Sequence, residues 1–166
     1  MTARNLLLSG GIYHPFAETS AVVAEILAPL GVESTVSPVR EGLARLADEG
    51  FDLLTINALA FSMTQAEKYA PLRDRFAFTA SAADRAAIEG HLARGGGLLG
   101  LHTAAICFDG WEGWPGILGA GWVWGRSHHP VPEYVTVQGA AGFTLWDELY
   151  CDLALDPEAE VLATAT

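Results

Sequence analysis

Short apolar runs that each end in glycine or a polar residue constrain this chain more than any other feature. They are Leu6-Leu7-Leu8-Ser9-Gly10-Gly11, Phe51 to Asn57 (FDLLTIN), and Leu98 to Leu101 after Gly95-Gly96-Gly97. A continuous apolar run fits a strand buried on both faces, because both alternating sets of side chains then meet core. Between the first two runs, Val23, Ile26, Leu27 and Leu30 recur at helical spacing and Gly31 is a plausible stop, which predicts a helix over about 17–30. Glu33 to Ser37 offers a short strand; Ser37 and Pro38 then open a helix with Val39, Leu43 and Leu46 on one face, ended by Gly50. The resulting βαβαβ order implies a parallel sheet with helices on both faces.

Residues 58–80 are irregular, with a helical turn at Thr64 to Tyr69 and Pro71 interrupting anything longer. Ser81 with Asp84 forms a capping box for a helix through Ile88 and Leu92 to Gly95; His91 within it is assigned no role. Past Leu101 the chain changes character: Trp111, Trp114, Trp122 and Trp124 lie among glycines and prolines, with strands expected at Tyr134 to Gln138 and Val161 to Ala165.

At 166 residues the chain suits one domain spanning 1–166, large enough to bury a core without disulfides or structural metal. No apolar stretch approaches the roughly 18 residues a membrane span needs. The segment Met1 to Asn5 lacks the features of a secretory signal, so a cytoplasmic protein is expected. Cys107 and Cys151 are not in CxxC spacing and read as reduced, packed thiols. A formal charge of −11 argues against nucleic-acid partners, which are held by neutralising phosphates with Lys and Arg.

In parallel sheets ligands bind at the carboxyl ends of the strands, near the point where strand order reverses. Polar residues expected there are His14 after the first strand and His102 after the fourth. Two further features are the pair His128-His129 and the run Asp147-Glu148-Leu149-Tyr150. Each also has a plainer reading. His102 fits a buried turn residue satisfied by carbonyls, His14 a helix cap, and His128-His129 a solvated pair of which at most one points inward. Adjacent residues on a strand face opposite sides, so only one of Asp147 and Glu148 can line a pocket, and Glu148 is selected. The tryptophans can stack on sugar faces, or form core or an oligomer interface.

Three motifs, GGIYH near the start, GGGLLGLHTA in the middle and DELY near the end, resemble in order and spacing the ThuA-like family, named for trehalose utilisation. The resemblance covers nearly the whole chain. It implies a three-layer flavodoxin-like sandwich, similar to class I glutamine amidotransferases, with a mostly parallel sheet. Where those amidotransferases carry a nucleophilic cysteine in a tight strand-to-helix turn, this chain has Gly100-Leu101-His102-Thr103-Ala104. Neither cysteine lies at that turn, so glutaminase chemistry, which needs a thiolate, is not expected. Two departures stand out. Gly139-Ala140-Ala141-Gly142 replaces a longer loop that carries another His-Pro in the family, and the sequence stops at Val161 to Thr166 where the family continues, so a trimmed fold or a fragment is expected.

The resemblance implies an enzyme of carbohydrate metabolism, of trehalose or keto-sugar type, performing hydrolysis, elimination or isomerisation. His102 and Glu148 would be its acid/base pair, and His14, His128 and Tyr150 its substrate contacts. The same groups, His14, His102 and Glu148, are candidate ligands for a divalent metal cofactor. The expected partner is a small-molecule carbohydrate, with no membrane partner and with a homo-oligomer suggested by the Trp-rich segment. The alternative is a non-catalytic sugar-binding or assembly module that kept the fold after losing the nucleophile.

Overall fold

β1 (Ala3–Gly10), β2 (Val32–Pro38), β3 (Leu53–Ala58) and β4 (Gly97–Gly100) form an all-parallel sheet in the order β2-β1-β3-β4. They belong to a computed structural model that describes residues 2–166 and divides into two units, the first ending at Glu112 and the second running Gly113–Thr166. The first two apolar runs become the central strands, with Leu6, Leu7, Leu8, Leu54 and Ile56 fully buried. The third becomes β4 at one edge of this sheet, where Leu98 and Leu99 are only half-buried, and β2 at the other edge carries the more polar VESTVSP. Two buried polar residues are satisfied sideways across the sheet, the Thr55 hydroxyl donating to Asn5 Oδ1 at 2.9 Å and Asn5 Nδ2 to Ser34 Oγ at 2.9 Å. Buried polar groups with such partners escape the desolvation penalty that an unpaired group would carry.

The first crossover is α1 (Phe16–Leu27), continued by a 3₁₀ turn over Ala28–Leu30 and stopped by Gly31 in left-handed conformation. α2 (Val39–Asp48) buries Gly42, Leu43 and Leu46. A Cβ at Gly42 would lie 2.2 Å from Leu8 Cδ2, so glycine lets the helix sit at this distance from β1 without displacing the buried Leu8 side chain. That close approach offsets the roughly 1 kcal/mol a mid-helix glycine loses against alanine. α4 (Ala82–Ala93) starts on the expected capping box, Ser81 and Asp84 each bonding the other's backbone N–H. The expectation for Pro71 is corrected: a 3₁₀ turn at Glu67–Tyr69 runs into α3 (Ala70–Phe76), and Pro71 sits in its first turn. In that position the missing N–H has no intrahelical partner to lose, so proline starts a helix rather than interrupting one.

The second unit is antiparallel. It contains α5 (Trp114–Leu118), β5 (Ala120–Gly121), β6 (Glu133–Gly139), β7 (Phe143–Asp147), β8 (Ala154–Leu155) and β9 (Ala163–Ala165). β6 is the strand expected at Tyr134 to Gln138, and β9 is the shorter core of the run expected at Val161 to Ala165. β7, which was not anticipated, pairs with β6 so that the sheet order is β7-β6-β9, and β5 pairs with β8. Among the described residues, no helix is long and apolar enough to cross a membrane.

Candidate functional site

The carboxyl end of β3 is the anchor on which the first unit's site is built. The loop after β1 is held by the Leu59 N–H donating to the Gly10 carbonyl at 2.9 Å, and Gly11 has φ 138°. A Cβ at Gly11 would come within 2.8 Å of the Leu59 carbonyl oxygen, so only glycine passes there. The chain then buries Ile12, turns through Tyr13 at φ 68° and presents His14, whose ring stacks on buried Phe16 with centroids 5.4 Å apart.

His102 reaches the same place from β4. The Leu101 N–H donates to the Ile56 carbonyl at 3.0 Å, and the Thr103 hydroxyl donates to the Ala58 carbonyl at 2.7 Å, so both neighbours of His102 are tied to β3. His102 itself has φ 42°, opens the 3₁₀ turn His102–Ala105 and is exposed, not the buried turn residue of the plainer reading. Non-glycine residues are uncommon at positive φ, and such strain clusters where a side chain must be presented at a fixed angle.

The two histidines meet, with Nε2 to Nε2 at 3.2 Å and ring centroids 5.1 Å apart at 60°. They do so although β3 lies between β1 and β4, because both loops close over its end. His14 Nδ1 is 3.2 Å from the Ile12 carbonyl. A carbonyl only accepts, so that nitrogen carries a proton, and in the neutral form of the ring it is the Nε2 lone pair that faces His102. The pair can therefore share a proton or converge on one cation. His14 is not a cap, since α1 has no side-chain cap.

In the second unit Glu148 lies just past β7, its backbone N–H donating to Asp147 Oδ1 at 2.8 Å. Its Oε2 is 3.6 Å from His129 Nδ1. Around them Tyr150 packs on Trp122 at 5.1 Å and on His129 at 5.9 Å, the latter nearly parallel at 24°. The Trp122 indole N–H is buried with no hydrogen-bond partner among the described residues. His128 goes elsewhere: it forms a bridge with Cys151 and lies 3.5 Å from Asp152 Oδ2. Of the histidine pair, His129 is the one beside Glu148 and Tyr150.

Sequence reasoning missed a second polar centre in the first unit. Asp109 accepts from the Ser62 N–H at 2.9 Å, from the Ser62 hydroxyl at 2.6 Å, and from Gln65 Nε2. It fixes the irregular loop after β3, and nothing about a single aspartate between Phe108 and Gly110 announces it. Cys107 supports the same loop from beneath, its thiol donating to the Ala58 carbonyl at 3.1 Å and accepting from the Ala60 N–H at 3.3 Å. Burial pushes that thiol up to about 12, so it supplies no thiolate near neutrality.

No family model matches the chain, and no curated protein does. Among solved structures it is similar to a protein described as ThuA-like from Parabacteroides merdae, at 16% identity and a TM-score of 0.68, with 99% of this chain and 68% of that one covered. The chain has a ThuA-like fold, the α/β sandwich with a parallel central sheet that its motifs resemble.

Proposed function

We propose that this chain is an enzyme acting on a carbohydrate of trehalose or keto-sugar type, with His102 as the proton-transferring group. One observation carries the reading: two imidazoles from separate loops are held Nε2 to Nε2 at 3.2 Å, at the carboxyl ends of parallel strands. A proton held between them is one that a bound sugar can receive and return, and imidazole has its ordinary pKa where such transfer is efficient. His14, clamped by Ile12, orients the pair. The DELY resemblance nominates Glu148 as the carboxylate that completes it, with Tyr150 as a substrate contact; His128, turned to Cys151 and Asp152, leaves that role, and the Trp122, His129 and Tyr150 rings offer apolar faces of the kind sugars stack on. A cytoplasmic location goes with this reading, as both cysteines are free thiols.

A second form of the reading is metal-assisted. Two tetrahedral zinc ligands with bonds of about 2.0–2.1 Å are separated by roughly 3.3 Å, close to the 3.2 Å found here. Anchoring of Nδ1 by a backbone carbonyl is also the usual second contact of a metal-bound histidine. His14, His102 and Glu148 would hold the ion, which would polarise a substrate carbonyl or activate water.

The test is metal content of untagged protein by inductively coupled plasma mass spectrometry, with turnover measured over a panel of disaccharides and keto-sugars, for the native chain and for His102→Ala. The reading expects turnover to fall by about a hundred- to ten-thousand-fold in the variant with folding intact. Near-stoichiometric zinc, iron or manganese that is lost in the variant selects the metal-assisted form. Unchanged turnover in the variant removes His102 from the chemistry.

A further inference from the structure

A cleft of about 220 Å³ opens at the carboxyl ends of β1 and β2 and beside the residues following β3, and the histidine pair does not line it. It sits where the chain leaves β1 for β2 on one side and β3 on the other, the reversal of strand order at which parallel sheets bind ligands. Its floor includes Gly10, where a Cβ would meet nothing within 4 Å, so the backbone is bare toward open space.

Two of the chain's nine basic residues line this one cleft, Arg40 from α2 and Arg75 from α3. Each guanidinium lies over an aromatic ring that also lines it: Arg40 Cζ is 5.2 Å from the centroid of Phe78, and Arg75 Cζ is 4.9 Å from that of Phe76. Placement over a ring restrains a long side chain while leaving guanidinium N–H groups free for a ligand. Neither arginine is committed to a carboxylate among the described residues, unlike Arg4 and Arg45, which pair with Glu49. Glu41 is the carboxylate on the rim. An overall charge of −11 repels polyanions at long range, but salt screens that field beyond about 10 Å and leaves the local pair in control.

We propose that this cleft is an oxyanion subsite, in which Arg40 and Arg75 hold the phosphate or carboxylate of a small ligand. Planar guanidiniums match both groups through paired N–H donors. The volume accommodates such a group with a small organic body and falls below the roughly 300 Å³ at which pockets for larger ligands begin.

The probes are inorganic phosphate and acetate, each titrated into the native chain by calorimetry and followed by amide chemical shifts. Saturable millimolar binding of phosphate, of acetate or of both supports the subsite, and the arm that binds more tightly identifies the group. Shifts should centre on Gly10, Gly11, Val39, Arg40 and Glu41. The double variant Arg40→Gln, Arg75→Gln should weaken binding at least tenfold, Glu41→Gln should tighten it, and His102→Ala should leave it unchanged. No saturable binding by either anion, or shifts centred outside the cleft, overturns the proposal without needing any variant to fold. Equal affinity in a folded double variant overturns it too.

Discussion

β3 in the first unit and the β6–β7 hairpin in the second are both built largely from apolar and β-branched residues, yet they bury them very differently. In β3, Leu54, Thr55 and Ile56 are fully buried, so every second residue on either face is packed. In the hairpin Val135 is buried, at 4% exposure, while Tyr134, Phe143 and Trp146 stand 74%, 54% and 62% exposed. Tyr134 and Trp146 are satisfied across the strands, edge to face at 5.1 Å, rather than by a core. A run of apolar residues thus means one thing in a parallel sheet covered on both sides and another in an antiparallel ribbon.

The largest expected effect follows from that contrast. Leu54→Ala should cost about 2–5 kcal/mol, since a fully buried leucine leaves a cavity as well as losing its transfer free energy. Trp146→Ala, removing more atoms, should cost only about 0.5–1.5 kcal/mol, the worth of an aromatic cross-strand pair. Urea titrations of the two variants check this; a tryptophan loss equal to that of leucine would mean that the hairpin's exposed face is covered in solution.

Cys107 offers a sharper division between the units, being buried where Cys151 is partly exposed. Burial raises the Cys107 thiol from an ordinary 9.0 to about 12, so between those values the unfolded chain has lost a proton that the folded chain keeps. Stability from this group is full below the unfolded pKa and is lost as pH rises toward the folded one, at up to about 1.4 kcal/mol per pH unit. Between pH 9 and 12 the native chain should therefore lose stability more steeply than Cys107→Ala. Parallel slopes in denaturation midpoints would show that the thiol is less sheltered than its burial implies. At lower pH, Cys151 should react with a thiol reagent well before Cys107 does.

How far the sequence could be read follows the same line. Leu6 to Leu8, Phe51 to Asn57 and the Ser81-Asp84 box were legible because burial on both faces and a local cap leave signatures within a few residues. His14 and His102 were legible as strand-end residues, but not their meeting, because β3 separates their strands and the meeting depends on bonds to Leu59, Ile56 and Ala58. β7 was missed because FTLWD buries too little to show a clear alternation. Asp109 and Arg40 act on a loop and a ring distant in sequence, and Arg75, though beside its own ring Phe76, meets Arg40 at one cleft only through the fold, so no spacing rule connects them.

The smallest expected effect tests backbone strain, and it too can be run in both units. His102 has φ 42° and Asp152 has φ 57°. At such a position alanine keeps the strain of a Cβ while glycine removes it, so the difference between the two variants isolates the backbone from the side chain. Elsewhere in a chain glycine is the less stable of the two by roughly 0.4–1 kcal/mol, from the greater freedom of the unfolded state. His102→Gly should instead match His102→Ala or exceed it by up to about 1 kcal/mol, while neither retains the imidazole. Aspartate tolerates the left-handed region better than histidine with its larger ring, so replacing native Asp152 by glycine should gain less than replacing His102. If glycine proved the weaker substitution at position 102 by its usual margin, the strand-tip geometry would be relaxed rather than imposed. The presentation of His102 toward His14 would then rest on the side chain alone.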